Sequence, residues 1–239
     1  MLPSTLLETV PSQLRLSFNI EHIDDLFPGF VLGDFAVLRG SSTVLPLSML
    51  LCVRAQLPYQ LGGLETNVVF VDGGNTFRLY DVSYIAQLHK LDATDVLERI
   101  FISRAFTAYQ MTSLVLDQLE AAVKKYDATL VMISDIAGLY LDNDVPKSEA
   151  RNVFNRVTHH LSKFADENRV IVVATYPPHY PSQRNIFFKA VVCGRANAVV
   201  SVRPSKHGQQ FMLEKHPFFP LGCADFPSED LSLTRFMEV

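Results

Sequence analysis

Short apolar runs recur along the chain at residues 35–38, 68–71, 100–102, 130–133, 170–174 and 198–202. Most are nearly continuous and rich in β-branched residues, as expected of strands covered on both faces. A different period lies between them. Met111, Leu114, Val115, Leu119, Ala122, Val123 and Tyr126 follow one another at spacings of three and four, and so do Val153, Phe154, Val157, Leu161, Phe164 and Ala165. Each set makes one apolar stripe and predicts a helix packed on a sheet. Alternating strands and helices predict an α/β fold, a mainly parallel twisted sheet with right-handed crossovers, flanked by helices. After residue 190 the pattern becomes strand (198–203), turn (206–209) and strand (210–214), which predicts a C-terminal antiparallel hairpin. Residues 1–16 have no clear period and read as an N-terminal arm, and 216–227, rich in Pro and Phe, read as a loop over the surface.

Composition narrows the class. With 239 residues and 48% hydrophobic content, the chain is long enough for a sizeable core without a disulfide or metal staple. One large domain over 17–239 is expected. The net charge of −4 argues against a strongly basic nucleic-acid binder and leaves room for a local basic loop. Cys52, Cys193 and Cys223 are far apart and form no CxxC pair, so they read as structural thiols. Their odd number and the lack of a signal peptide favour a cytoplasmic setting. No apolar run reaches the roughly 18 residues of a membrane span, so no membrane partner is expected.

In a parallel α/β sheet, chemistry sits where strands end. The first strand exits through Phe35-Ala36-Val37-Leu38-Arg39-Gly40, after an entry that runs Ile23-Asp24-Asp25-Leu26-Phe27-Pro28-Gly29. Gln56-Leu57-Pro58 and Gly62-Gly63-Leu64 precede the second strand, and Thr76-Phe77-Arg78 follow it. Further on come Ser103-Arg104-Ala105-Phe106-Thr107 with Gln110, then Leu139-Tyr140, then Val170 to Thr175. In this order and at these gaps, the segments resemble the core of archaeal RadA/RadB recombinases in the RecA superfamily. A KaiC-like relative in that superfamily is the alternative placement. The resemblance spans about residues 20 to 215 and implies a RecA-like core.

That family hydrolyses ATP on a phosphate loop, GxxxxGK[ST], whose backbone amides close around the phosphates, whose Lys neutralises charge and whose hydroxyl holds Mg²⁺. Here the loop reads Gly40-Ser41-Ser42-Thr43-Val44-Leu45-Pro46-Leu47. Leu45 replaces the second Gly, Pro46 the Lys and Leu47 the hydroxyl. A shift of one position recruits Ser48 for the metal but leaves the Lys absent. The resemblance puts Gly74 where the family carries its catalytic Glu, and Ser134 where it carries the metal-binding Asp. Asp135 comes one residue late, and its side chain is expected to leave the strand on the other face. The polar sensor pair becomes Tyr176-Pro177. These losses predict a chain that is not an ATPase and has no cofactor. A residual nucleotide-binding ATPase is the alternative.

Other catalytic readings are weaker. Ser134, Asp135 and either His159 or His160 supply the members of a Ser/His/Asp triad, but strand neighbours point apart and no GxSxG elbow exists. His159-His160 lacks a second ligand pair for a metal. Asp142-Asn143-Asp144 lacks the Gly and Glu of a calcium loop.

Two loops carry single-stranded DNA in RecA-type proteins, and here they would be 142–151 and 177–190. The second contains His179, Tyr180, Arg184 and Lys189, a composition suited to base stacking and phosphate contact. The family also docks an FxxA peptide from a neighbour. Leu64, Val68, Phe70, Val82 and Ala86, from the second strand and the helix 82–89, are expected to form the receiving groove. The chain's own FxxA, Phe187 to Ala190, lies inside the second DNA loop, and in size the chain is RadB-like. The expected role is an accessory or mediator in DNA recombination or repair. Its expected partners are a recombinase or FxxA-type peptide and, weakly, single-stranded DNA. A protein-binding scaffold unrelated to DNA is a further alternative, and the sequence does not specify the oligomeric state.

Overall fold

Eight strands form one sheet whose parallel part follows the apolar runs, extended by one or a few residues each. The computed structural model describes residues 14–206 and 208–226; residues 1–13 of the expected N-terminal arm and Pro227 of the expected tail lie outside the described residues. Two short strands, β1 (Arg15–Leu16) and β2 (Phe30–Val31), pair antiparallel at the edge of the fold. The main sheet comprises β3 (Phe35–Gly40), β4 (Asn67–Asp72), β5 (Ile100–Arg104), β6 (Ala128–Ser134), β7 (Ile171–Tyr176), β8 (Ala198–Ser205), β9 (Gly208–Lys215) and β10 (Gly222–Phe226). Their spatial order is β10-β9-β8-β3-β7-β6-β4-β5. Pairing is parallel from β8 through to β5 and antiparallel between β8, β9 and β10.

The helices are α1 (Glu21–Leu26), α2 (Val44–Arg54), α3 (Leu79–Leu88), α4 (Ala93–Glu98), α5 (Ala108–Ser113), α6 (Leu119–Tyr126), α7 (Gly138–Leu141), α8 (Lys147–Asn168) and α9 (Gln183–Arg195). A π turn, Leu114–Gln118, joins α5 to α6, so the stripe from Met111 to Tyr126 lies on one rod with a local widening. Strand side chains alternate between faces. Val68 and Phe70 join the layer that contains α2 and α3, while Val69 and Val71 join the layer that contains α8 and the α5–α6 rod.

One expectation is corrected. The tail was expected to be a loop, yet Gly222–Phe226 pairs with β9 and forms the outer strand. Its sequence, GCADF, lacks a β-branched run and buries mainly Phe226. Its register comes from β9, and α1 packs over it through Leu26.

Candidate functional site

The parallel register brings the strand exits level. Asp72 pairs with Arg104 on one side and with Ser134 on the other, and Leu38 pairs with Thr175. The phosphate-loop, catalytic and metal positions implied by the sequence therefore share the carboxyl end of the sheet.

Gly40 has φ +112, and a Cβ there would lie 2.2 Å from the Val202 carbonyl oxygen, so the close approach of β8 requires glycine. Several amides of this loop are engaged within the chain. Ser41 N–H donates to Val202 O at 2.8 Å, Val44 N–H to Ser41 O at 3.2 Å and Leu45 N–H to Ser42 O at 3.0 Å. Thr43 precedes α2 without a side-chain cap bond, and Pro46 has no N–H to offer. Leu47 is buried in the core, with Leu45 packed against it. Ser48 is also buried, and its hydroxyl donates to Leu45 O at 2.6 Å, back onto its own helix. Arg39, the nearest cation, makes a two-pronged contact with Glu214 (Nε 2.8 Å, Nη2 2.7 Å). Glu214 also accepts from Ser201 and Arg203.

The neighbouring exits form two internal networks. Asp72 is fully buried, and its carboxylate accepts from Thr76 N–H (2.9 Å), Ser134 Oγ (3.0 Å) and Arg104 Nε (3.1 Å). Thr76 and Ser134 also share a hydrogen bond between their hydroxyls. Asp135, at φ +46, faces away from this group. Its carboxylate meets His179 Nε2 at 2.8 Å and accepts from Gly138 N–H at 3.0 Å, while its own N–H donates to Thr175 Oγ1 at 2.9 Å. Ser134 and Asp135 thus belong to different networks, and neither meets His159 or His160. His159 contacts Arg195, and His160 stacks on Phe164. Asp142 Oδ1 accepts from Asp144 N–H as a local turn. Among the described residues no three His, Cys, Asp or Glu side chains converge to hold a metal. No helix among them is long and apolar enough to cross a membrane.

The second candidate DNA loop is shorter than expected. Only residues 177–182 are loop; α9 then begins, with Ser182 Oγ accepting from Asn185 N–H at 3.0 Å. Arg184 is a correction. It is buried, and it donates to Asp142 O (2.7 Å) and Val145 O (2.5 Å), tying the first loop to α9. Its charge therefore serves packing and is not presented to a phosphate. Phe188 is core, between Tyr140 and Phe154, so the internal FxxA is helical and partly buried. His179 is held by Asp135, Lys189 is exposed, and Tyr180 is 93% exposed. Sequence reasoning missed Tyr80 and Phe106, which also stand exposed after the exits of β4 and β5. Phe106 lies two residues past β5 and carried a strand-exit signal, whereas Tyr80 lies eight residues past β4, within α3, and carried none.

The expected peptide groove is also corrected. Leu64, Val68, Phe70, Val82 and Ala86 are all buried in the core beneath α2, α3 and α4 and line no opening. β4 is an interior strand; the edge is β5. An open hollow of about 330 Å³ lies on the other face, lined by Val69, Val71, Ser103, Leu114, Gln118 and Tyr126. Phe101 stacks on Tyr126 at 3.7 Å between ring centroids.

Comparison with known proteins places these features in context. The Rad51 family model matches residues 31–183. The DNA repair and recombination protein RadA of Aeropyrum pernix is 32% identical over 129 residues, covering 52% of this chain and 40% of that protein. The DNA repair protein RAD51 homolog B of Zea mays is 30% identical over 168 residues, covering 68% of this chain and 49% of that protein. The matches thus span about half or less of the length of these curated relatives.

Proposed function

This chain belongs to the Rad51 family, and from that premise we propose that it serves DNA recombination or repair by binding, without hydrolysing ATP. The observation that carries the reading is the donor set from Gly40 to Ser48. The amides of Ser41, Val44 and Leu45 are spent on backbone carbonyls, Pro46 stands in place of the lysine, and the Ser48 hydroxyl is turned back on its own helix. A protein of this kind acts through its surfaces.

The surface best suited to a protein partner is the β5 edge with the hollow beside it. Among the described residues β5 pairs only with β4, so one row of its backbone groups is left to an added strand. An extended FxxA-type peptide from a recombinase would pair with β5 and seat its Phe over Val69 and Val71. Titrating such a peptide and its Phe→Ala variant, with and without ATP and Mg²⁺, tests the reading. Tighter binding of the parent peptide, indifferent to ATP, is the expected result. Equal affinity for both peptides overturns the docking site, and micromolar ATP binding overturns the loss of nucleotide.

A second reading, weak binding of single-stranded DNA, draws on two exposed side chains, Tyr180 in the loop after β7 and Lys189 on α9. An aromatic platform with a cation nearby suits a base and its phosphate.

A further inference from the structure

A second hollow, of about 490 Å³, opens at the opposite end of the sheet from the phosphate loop. Its base is Arg54, the last residue of α2, which is 1% exposed. A buried guanidinium requires hydrogen-bond acceptors. Arg54 Nε donates to Ser17 O at 2.7 Å, and Nη2 donates to Ser17 Oγ at 3.1 Å and Leu61 O at 2.7 Å. Gly62, at φ +73, lets the chain wrap this group; a Cβ there would lie 2.7 Å from Ser17 Oγ and 3.0 Å from Arg54 Nη2. These bonds use three of the five N–H groups. Nη1 makes no hydrogen bond among the described residues, and no carboxylate among them makes an ion pair with Arg54.

The surroundings favour negative charge. Lys90 stands at the rim, and Asn19 and Gln60 bring amide donors. His89 is neutral at pH 7; burial first, then the Arg54 charge, hold its pKa down to about 4. Among the described residues, Asp24 is the carboxylate that tempers Arg54. It does so from a distance, is not part of the lining, and is itself raised to about 6 by burial against the lowering influence of Arg54. Leu57, Leu61 and Leu88 supply an apolar wall.

We propose that this hollow binds an oxyanion, a carboxylate or a phosphate monoester, seated on Arg54 Nη1 with Lys90 at its rim. The two N–H groups left on Nη1 diverge from one nitrogen, and each can donate a charge-assisted hydrogen bond to an oxygen, which a carboxylate and a phosphate both supply. Such a site lies at the end of the sheet remote from the lost nucleotide site and needs nothing from it.

The test titrates inorganic phosphate, and separately acetate, into the full chain at constant ionic strength, with sodium chloride as the control. The His89 ring resonances report occupancy, because a bound anion offsets the Arg54 charge and raises the His89 pKa. Saturation by phosphate alone assigns the site to phosphate monoesters; saturation by both anions, or by acetate alone, assigns it to carboxylates. Lys90→Ala should weaken binding about two- to fivefold, the scale of an exposed charge pair, and Arg54→Lys by about tenfold or more, with the Nη1 donors lost. Because Arg54 also anchors Ser17 and Leu61, its variant requires a folding check by circular dichroism. Gln60→Glu, exposed at the rim, supplies the decision if Arg54→Lys fails to fold, since the added charge should repel either anion. A response no different from chloride, or unchanged affinity in both Lys90→Ala and Gln60→Glu, overturns the proposal.

Discussion

Gly74 lies so close to Asp135 that a Cβ on Gly74 would sit 2.8 Å from the Cβ of Asp135. Asp135 is in turn fixed by His179 and by the Gly138 amide, and a Cβ on Gly138 would fall 2.4 Å from Asp135 Oδ2. The space a glutamate would need at position 74 has therefore been taken by a neighbouring carboxylate and the histidine that holds it. Gly74, Asp135, Gly138 and His179 form one packed unit.

It follows that restoring the family's residue at this position should harm the fold without restoring chemistry. Gly74→Glu is expected to lower stability by about 1–3 kcal/mol through overpacking. Adding Asp135→Gly should recover part of that loss, with a coupling of at least about 0.5 kcal/mol between the two sites. Urea denaturation of both single variants and the double variant measures this. Additive effects would show that the two positions do not compete for space.

The phosphate loop carries its own expectation. ATP with Mg²⁺ should bind no more tightly than about 1 mM, roughly −4 kcal/mol, by isothermal titration. Putting back the missing groups as Pro46→Lys with Leu47→Thr should not yield turnover, because the Val44 and Leu45 amides remain in their turns. Leu47 is fully buried, so the double variant should also lose about 2–4 kcal/mol from the cavity and the buried hydroxyl. Micromolar ATP affinity in the parent chain would refute this account.

The parallel sheet was legible in the sequence because both of its faces are covered, which makes β3, β4, β6 and β7 read as continuous apolar runs. The convergence of Gly40, Asp72 and Ser134 at one end of the sheet was legible too, since it follows from the strand exits. What escaped were properties of the assembled sheet. Strand order decides that β5 is the edge, and the sequence does not state it. Nor does it state which parity of β4 faces which helical layer: Val68 and Phe70 lie in the layer of α2 and α3, whereas Val69 and Val71 line the hollow on the other face. Arg184 reads as a loop cation until α9 forms and turns it toward the Asp142 and Val145 carbonyls. β10 has no pattern of its own and is specified by pairing with β9.

For single-stranded DNA, the structure separates two cations that look alike in the sequence. Lys189→Ala should flatten the salt dependence of oligonucleotide binding by about 0.7 in the log–log slope, one phosphate contact. Tyr180→Ala should weaken binding by about 1–3 kcal/mol if the ring stacks on a base. Arg184→Ala should leave the slope unchanged and destabilise the fold by about 1.5–3 kcal/mol, since two carbonyls lose a charged donor. Fluorescence anisotropy across a salt series, with thermal unfolding alongside, distinguishes the three. Parent-like binding by a Tyr180→Ala/Lys189→Ala chain would remove this surface from the function.

The last expectation concerns pH and the turn after β9. His216 Nδ1 accepts two amides, from Phe218 at 3.1 Å and from Phe219 at 3.0 Å, so the fold requires that nitrogen without a proton. Burial first, then the charge of Arg15, push the His216 pKa down to about 4; among the described residues the ring also meets Phe27, Phe218 and Phe219. The unfolded chain therefore binds a proton more readily than the folded one. The stabilisation is fully present above about pH 6.5 and is lost as pH falls through about 4. For this half-buried ring its size is on the order of 1–2 kcal/mol after allowance for solvent screening. Global unfolding would blur the effect. His89 follows the same direction, while Asp24, raised to about 6, stabilises the fold as pH falls and opposes both. Amide hydrogen exchange at Phe218 and Phe219 is the local measurement. After correction for intrinsic rates, protection there should fall between pH 6.5 and 4 in the parent chain. In His216→Asn, whose side-chain oxygen can accept a bond but does not titrate, protection should stay level. Equal pH dependence in the two chains would show that the turn does not depend on the charge state of His216.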